Sequence, residues 1–575
     1  MKQFNHQSDI FELSKIRRRV VLAGLLILFI SLFSRALYLQ QIKKEFLQSK
    51  GNNFSIRNEI LHSYRGKIYD RNNKLLAVSS PTFDVGINLS FKNDDKNIRV
   101  LAELLEIDSS QLIKKVNSKS KGFSYIKRSV SPEKAKKISS LGLKGLSMEK
   151  KYRRFYPNRE SAAHIIGKTD LDGIGNEGLE KQWDSFLKGE MGHKKVLVDG
   201  GKRIIDDLQD FKLPKDGSDI HTTIDGRLQH SAYEALKKYV QRYDADAGSA
   251  IMIDAKTGDI LLMTNFPSYN PNSSIKNLET MRNRVVTDTF EPGSTMKPLS
   301  IAYAMDSKKV KENEIIQTNN GLLKVGRSFI RDDHPHDEMT LKEVVKYSSN
   351  VGAAQIGVRL SPKELWGFYD KVGFGKKINI GIPGEVGGRL RNYASWRESE
   401  HARMPFGYGM SINLLQLASA YSVFANDGIH ITPKLYLNKK PEIGDKILTP
   451  KTSNTMKNFM VSVVEEDGGT GFKARIPGYT VAGKTGTARK VVEGNYVKEY
   501  VASFVGIAPS KNPKFIMAVM IDNPRVDSYY GGTVAGPVFK DTMKDALKLY
   551  DIPHDKDIKE NLLEITNNNT DNEKL

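Results

Sequence analysis

The chain contains no cysteine. Disulfides, thiol nucleophiles and cysteine-bound zinc are therefore excluded, and an oxidising compartment would leave the protein unharmed. Its 11 histidines are scattered and none forms an H-E-x-x-H pair, so a catalytic metal is not expected. No basic run is interleaved with aromatics, and no helix-turn-helix, zinc-finger or RNA-recognition signature is visible. Nucleic acid is therefore not an expected partner, despite a formal net charge of +21. That excess favours anionic surroundings such as lipid headgroups or an acidic polymer; a lysine-rich solvated surface accounts for most of it. The compositional mark of disorder is missing too, with 39% hydrophobic and 27% charged residues. Long apolar runs are scarce: one occurs near the N-terminus, and nothing of comparable length follows. A single-pass protein, not a transporter, is the expectation.

That one run is Val20 to Phe33, VVLAGLLILFISLF, apolar but for Ser31, and its character resumes at Ala36 to Leu39 after Ser34 and Arg35. Together these make about 20 residues, enough to span a bilayer, with Arg35 able to snorkel to the far interface. Lys15, Arg17, Arg18 and Arg19 precede the span. The positive-inside rule then leaves residues 1–19 in the cytoplasm and the chain beyond the 20–40 anchor outside. Cleavage as a signal peptide is the rival reading, since Ser34-Arg35-Ala36 is weakly like a small-x-small site. The span continues past it into Leu-Tyr-Leu-Gln-Gln, which favours an uncleaved anchor.

A chain of 575 residues implies roughly two to four folding units. From about residue 43 to 235 short β-like runs alternate with charged helical segments such as Lys96 to Val116 and Ser131 to Ser140. Near 236 longer elements begin: an amphipathic helix over Arg227 to Tyr239, then AGSAIMIDAKTGDILLMTNFP, two strands hinged at a turn. A second strand pair, Tyr500 to Pro509 and Lys514 to Asp522, closes the segment, which predicts an antiparallel sheet made by both ends of one α+β domain. The tail after about 553, ending NNNTDNEKL, reads as disordered.

With thiols and metals gone, Ser, Thr and Lys remain as covalent catalysts. A serine three residues before a lysine at a helix start places both on one face, so an unprotonated amine can take the hydroxyl proton. The spacing alone is weak, because it recurs at surface-like positions such as Ser131 and Ser273. Context separates Ser294 and Lys297: FEPGSTMKPLSIAYAM puts turn residues before the serine and an apolar helix after it. Free N–H groups at a helix start suit a developing oxyanion, although Ser294 is also a good helix cap. Two further motifs decide between these. Ser348-Ser349-Asn350 lies where one helix (Leu341 to Tyr347) yields to another (Val351 to Leu360), and Lys484-Thr485-Gly486 lies in the strand YTVAGKTGTARK. S-x-x-K with S-x-N and K-T-G is the signature of penicillin-binding proteins and class A β-lactamases. A second KTG, Lys256 to Gly258, falls in a hairpin flanked by Asp254 and Asp259 and reads as a polar turn.

With these residues in view, the chain resembles a class B penicillin-binding protein, a monofunctional D,D-transpeptidase, and most of all the division-specific FtsI type. The resemblance runs from the anchor to about residue 545. Its strings are RGKIYDRNNKLLA, RRFYPNRESAAHIIG and GIGNEGLE in the first half, then FEPGSTMKP, YSSNVG, FGYGMSINLLQLASAY, VAGKTGTARK and YYGGTVAGPVF. Asn73 stands where that family usually has glycine, and asparagine tolerates the left-handed backbone such a turn needs.

The resemblance implies a non-catalytic pedestal of dimerisation type over 41–235, a penicilloyl-serine transferase domain over 236–552 with an antiparallel sheet flanked by helices, and a tail over 553–575. It implies that Ser294 attacks the penultimate D-Ala carbonyl of a peptidoglycan stem peptide, with Lys297 as base, and that no cofactor takes part. Ser348 and Asn350 would relay protons and hold the peptide, Lys484 would tune the field and push down the Lys297 pKa, and Thr485, Gly486 and Thr487 would bind substrate. The backbone N–H groups of Ser294 and Thr487 would form the oxyanion hole. Expected partners are stem peptides of lipid II-derived glycan, β-lactams as inhibitors, and an FtsW-type glycan polymerase with other division proteins; the expected place is the inner membrane, catalytic part in the periplasm. Arg65 and Arg154, in the pedestal strings, would serve partner-dependent work. A β-lactam hydrolase or sensor shares the three motifs, but no recognisable deacylating glutamate loop is present. An inactive scaffold would need a broken motif, and none is broken.

Overall fold

The computed structural model describes residues 14–88, 91, 94–117, 123–200 and 204–556. Most of the expected cytoplasmic segment (1–13) and of the expected disordered tail (557–575) lies outside the described residues.

Two compact units are present, the first made of Met1–Ser63 and Glu190–Lys215. In it a helix over Lys15–Leu37 runs unbroken through Ser34, Arg35 and Ala36 and continues as a π-helical turn over Tyr38–Ile42. Its 23 residues make about 35 Å at 1.5 Å per residue, more than the roughly 30 Å of a bilayer's hydrocarbon. No side chain on it is buried, as expected of a helix apolar on all sides with no protein to cover it. A helix over Lys44–Ser55 and a three-stranded antiparallel sheet, with Gly192–Val198 between Ile56–Leu61 and Ile204–Lys212, complete this unit.

The second unit comprises Tyr64–Gly189 and Asp216–Leu575. Its N-terminal part is built on the strand Leu75–Ile87, which pairs antiparallel with Leu146–Phe155 and with Ser124–Val130. Asn73 has φ +57°, and Asp70 Oδ1 accepts from the Asn72 and Lys74 amides at 2.8 Å each. The asparagine thus fills the left-handed position that the sequence reading assigned to it. The segment expected to be helical from Lys96 to Val116 is two helices, Asp95–Leu105 and Ser109–Asn117. They part at Glu106 (φ +53°), after which Asp108 accepts from the Gln111 amide and starts the second. Ile98, Leu101, Ala102 and Leu105 form the buried stripe of the first.

Three of the quoted strings meet at one buried carboxylate. Glu180, fully buried, accepts from Arg65 Nε on one oxygen and Arg154 Nε on the other, both at 2.6 Å. Arg65 also reaches the Glu180 and Gly173 carbonyls and Asp184, and Arg154 reaches the Arg65 carbonyl. With exposures of 8% and 6%, neither arginine reaches a surface, and both hold the strings together.

The catalytic-type part contains α1 (Gly226–Arg242), β1 (Ala247–Asp254), β2 (Ile260–Phe266), α2 (Lys297–Asp306), α3 (Leu341–Lys346), α4 (Asn350–Gly357), α5 (Leu414–Ala420), β3 (Ala482–Val492), β4 (Asn495–Ala508), β5 (Phe515–Asp522) and α6 (Gly536–Leu549). The five strands form one antiparallel sheet in the order β2-β1-β5-β4-β3, so the two ends of the segment close on each other as the paired patterns predict. Leu236 of α1 and Phe539 of α6 pack with Leu262 and Phe504 on one face; Leu299 of α2 and Leu414 of α5 pack with Ile251 and Met263 on the other. Because both faces are covered, β1 is buried at every position, which explains its unbroken small and apolar string. The first KTG sits in the β1–β2 turn, where Asp254 accepts from the Lys256 and Thr257 amides at 3.0 Å and Gly258 has φ +73°. It is the polar turn expected.

Removing one partner of a buried ion pair strands the other charge and costs about 3–5 kcal/mol. Glu180→Ala strands two guanidiniums, so the purified chain should lose thermal stability and gain protease cuts between residues 64 and 189. A melting profile and digest like the wild type's would contradict the role given to this carboxylate.

Candidate active site

The nucleophile turn begins at Pro292 and Gly293. A 3-10 turn over Gly293–Met296 leads into α2, and because side chains at i and i+3 eclipse in such a turn, Ser294 and Lys297 share one side. Thr295 anchors the turn: its hydroxyl donates to the Pro292 carbonyl at 2.8 Å, and Tyr421 donates to the Thr295 carbonyl at 2.7 Å. Helix capping does not explain Ser294, since neither the 3-10 turn nor α2 has a side-chain cap. Its side chain is half-buried and lines a cleft of about 390 Å³.

α2 is apolar nearly all round, with Leu299, Ile301 and Ala302 fully buried; burying each of the two larger side chains contributes roughly 1.5–3 kcal/mol. Two close approaches fix what surrounds it. A Cβ on Gly486 of β3 would lie 2.4 Å from Ser503 Oγ and 2.9 Å from Thr295 Cγ2, and one on Gly407 would lie 2.3 Å from the Gly293 carbonyl oxygen. The KTG strand and the FGYG loop therefore press on the nucleophile turn from two sides.

Inside this packing lie two fully buried lysines, Lys297 and Lys484. Both amines converge on Ser348 Oγ, Lys484 Nζ at 2.8 Å and Lys297 Nζ at 3.1 Å, and Lys297 also donates to the Ser348 carbonyl. Ser348 stands between α3 and α4 with φ +63°, a left-handed backbone that costs a non-glycine residue roughly 1–2 kcal/mol. Burial pushes the Lys297 ammonium down to about 7 while the Asp332 and Asp333 carboxylates hold it up. Lys484 is pushed well below its ordinary value, by burial first and by the Lys297 charge second. Burial is the first cause for both lysines, so desolvation does more to lower Lys297 than the electrostatic push expected of Lys484.

The other expected residues fall in the same place. Asn350, Thr485 and Thr487 line the cleft with Ser294 and Ser348. The Asn350 amide donates to the Arg331 carbonyl at 2.9 Å, Thr485 Oγ1 pairs with Thr470 Oγ1 at 3.0 Å, and Thr487 Oγ1 accepts from the Gly531 amide at 3.1 Å. The middle serine of the second motif is structural, for Ser349 caps α4, accepting from the Gly352 amide and donating to Asp332. Asp332 also accepts from the Asn350 and Val351 amides. Sequence reasoning missed Asp332, and also Tyr408 and Tyr530, which line the cleft from strings quoted above without a role. β3 is an edge strand of the sheet, so its outer side can receive an extended peptide. A roomier recess of about 520 Å³ between Thr287, Phe290, Lys490 and Asp522 touches neither Ser294 nor Lys297 nor Lys484. Among the described residues no cluster of three or more His, Asp or Glu could hold a metal.

Comparison with known proteins agrees with this geometry. The family model described as penicillin binding protein transpeptidase domain matches residues 248–544, and that described as penicillin-binding protein dimerisation domain matches 60–222. The chain is 40% identical to a probable peptidoglycan D,D-transpeptidase PenA of Neisseria meningitidis, covering 92% of each chain. It is 36% identical to the peptidoglycan D,D-transpeptidase FtsI of Escherichia coli, over 94% of this chain and 92% of that one. Among solved structures, the transpeptidase domain of penicillin-binding protein 3 from Burkholderia pseudomallei is 38% identical with a TM-score of 0.54, covering 58% of this chain and 98% of that one.

The depressed Lys297 has a consequence for stability. An unfolded lysine titrates near 10.4 and the folded one near 7, so between these values the unfolded chain binds more protons and stability rises with pH. The penalty is largest below about 7, on the order of a few kcal/mol, and vanishes above the unfolded value. Lys297→Met removes it. Relative to that variant, the wild type should gain melting temperature steadily from pH 7 to pH 10, and a difference that does not move with pH would contradict the buried, depressed amine.

Proposed function

Because the chain belongs to the penicillin-binding proteins that carry a dimerisation and a transpeptidase domain, we propose that it cross-links peptidoglycan stem peptides through an acyl-enzyme on Ser294, in the septal cell wall. The observation that carries this reading is the Lys297–Ser348–Lys484 bridge beside a half-buried serine, with Lys297 brought down to about 7. At neutral pH a large fraction of Lys297 is then the free amine a general base must be.

The chemistry follows from the placement. Lys297 takes the Ser294 hydroxyl proton as Oγ attacks the penultimate D-Ala carbonyl; the amide C–N bond breaks, and the proton leaves on the amine of the terminal D-Ala. Ser348 Oγ, held by both lysines, is the relay, and Lys484 fixes its orientation. Thr485 and Thr487 grip the terminal carboxylate, Gly486 lets the edge strand come close, and Asn350 holds the peptide. The Ser294 and Thr487 amides take the oxyanion. An acceptor amine then attacks the ester, its C–N bond forms, and the Ser294 oxygen leaves and regains a proton.

Release by water is slow in this reading, because the two glutamates close to the motifs in sequence are engaged elsewhere. Glu291 accepts from the Gly409 amide at 2.8 Å and the Tyr496 hydroxyl at 3.0 Å, and Glu343 completes a capping box with Thr340. β-Lactams would therefore stay bound as esters. The apolar helix at the N-terminus would anchor the chain in the inner membrane with the catalytic part in the periplasm, and the segment 41–235 would be the pedestal that meets an FtsW-type polymerase.

Labelled penicillin with mass mapping tests the core of this. Ser294→Ala should abolish covalent labelling at a cost of no more than about 1 kcal/mol of stability, because the hydroxyl holds no cap. Lys297→Arg should abolish it as well, since a guanidinium stays protonated. Wild-type acylation should rise with pH through about 7. Label on another residue, or normal acylation by the arginine variant, would move the chemistry elsewhere.

A further inference from the structure

Next to the nucleophile cleft lies a second recess, of about 340 Å³, whose lining includes three arginines: Arg331, Arg403 and Arg489. They come from separated parts of the chain, the strand Ser328–Arg331, the turn before Met404 and the outer half of β3. None of the three makes an ion pair among the described residues. Like charges collected without a counter-charge repel one another, and arginine's fork of donors matches a carboxylate better than any other group a peptide offers.

The walls are aromatic. Phe329 lies under the Arg331 guanidinium at 6.0 Å, and Tyr408 meets Tyr496 edge to face at 6.1 Å. One carboxylate, Glu291, is close enough for Arg403 to stabilise it electrostatically. Both its oxygens are already taken, by the Gly409 amide and the Tyr496 hydroxyl. The recess is continuous with the nucleophile cleft, since Asn350, Tyr408 and Arg489 line both. The Arg331 carbonyl accepts from the Asn350 amide at 2.9 Å, which couples the two walls. It lies on the Asn350 side of the cleft, apart from Thr485 and Thr487, which line only the first.

We propose that this arginine-lined recess is a carboxylate subsite, holding an anionic group of the stem peptides other than the terminal D-Ala carboxylate. The inference rests on the transpeptidase reading above. Two sources share that chemistry, a side carboxylate of the donor peptide upstream of the scissile bond and the carboxylate beside the acceptor amine.

The experiment has an arm for each, on the purified full-length chain. In one arm a neutral thioester donor of D-alanine is partitioned between water and two acceptors, D-alanine and D-alaninamide. In the other, thioester donors with and without a side-chain carboxylate are compared with a single neutral acceptor. In one arm the carboxylate-bearing compound should be preferred roughly tenfold, as one charge-assisted contact affords. Arg331→Gln and Arg403→Gln should each reduce that preference severalfold, and Arg331→Lys should keep part of it. Arg331 is exposed, so its variants test the charge even if Arg403→Gln destabilises the turn, which a melting curve will show. Equal use of carboxylate and amide in both arms, or a preference that survives both glutamine variants, overturns the subsite. Failure of the wild type to form penicilloyl-Ser294 would instead overturn the transpeptidase reading.

Discussion

The contact on which the catalytic half depends is the meeting of two lysine amines at one serine hydroxyl. Lys297 belongs to the buried helix α2, Lys484 to the edge strand β3, and Ser348 to the break between α3 and α4. Three elements far apart in the chain are thus joined through one oxygen atom. A full charge on both amines at once is costly here, because desolvation outweighs what a hydroxyl returns. Burial lowers both lysines from their ordinary values, and in the proposed reading the lowered Lys297 is the base. Ser348 stays in a left-handed backbone because two amines and two helices hold it there.

The buried carboxylate in the N-terminal half is met by ion pairs instead. Glu180 is paired with Arg65 and Arg154 on its two oxygens. Its partners come from strings 115 and 26 positions away, so it ties together three separated parts of the chain. In one half of the second unit burial lowers two lysines, and in the other two arginines pair with a buried carboxylate.

Much of this was legible because it is local. The three motifs, the hairpin around the Lys256 to Gly258 KTG and the left-handed Asn73 are set by neighbours a few positions apart. Where the reading failed, the cause lay across space. The single helix expected from Lys96 to Val116 breaks because Glu106 turns left-handed and Asp108 starts a new helix. Nothing local in the strings of Arg65 and Arg154 shows the distant carboxylate that both meet. Asp332 sits in the polar run RDDHPHDE, which has no periodicity to betray that it caps α4 beside the active serine's lysine. The weight of burial in the Lys297 shift was hidden for the same reason: motif spacing shows that two lysines approach, but not how completely both are shut off from water.

The tight seating of the nucleophile turn also limits how this enzyme can change over generations. Gly486 and Gly407 leave no room for a methyl group, and α2 is walled in by apolar neighbours, so variants there forfeit the fold before they alter what the cleft accepts. The tolerant positions are on the rim, at the tip of the β3–β4 hairpin and in the exposed loops carrying Asp333, Tyr529 and Tyr530. Selection that must keep the natural peptide while discriminating against a mimic of it has this border to work on, and little else.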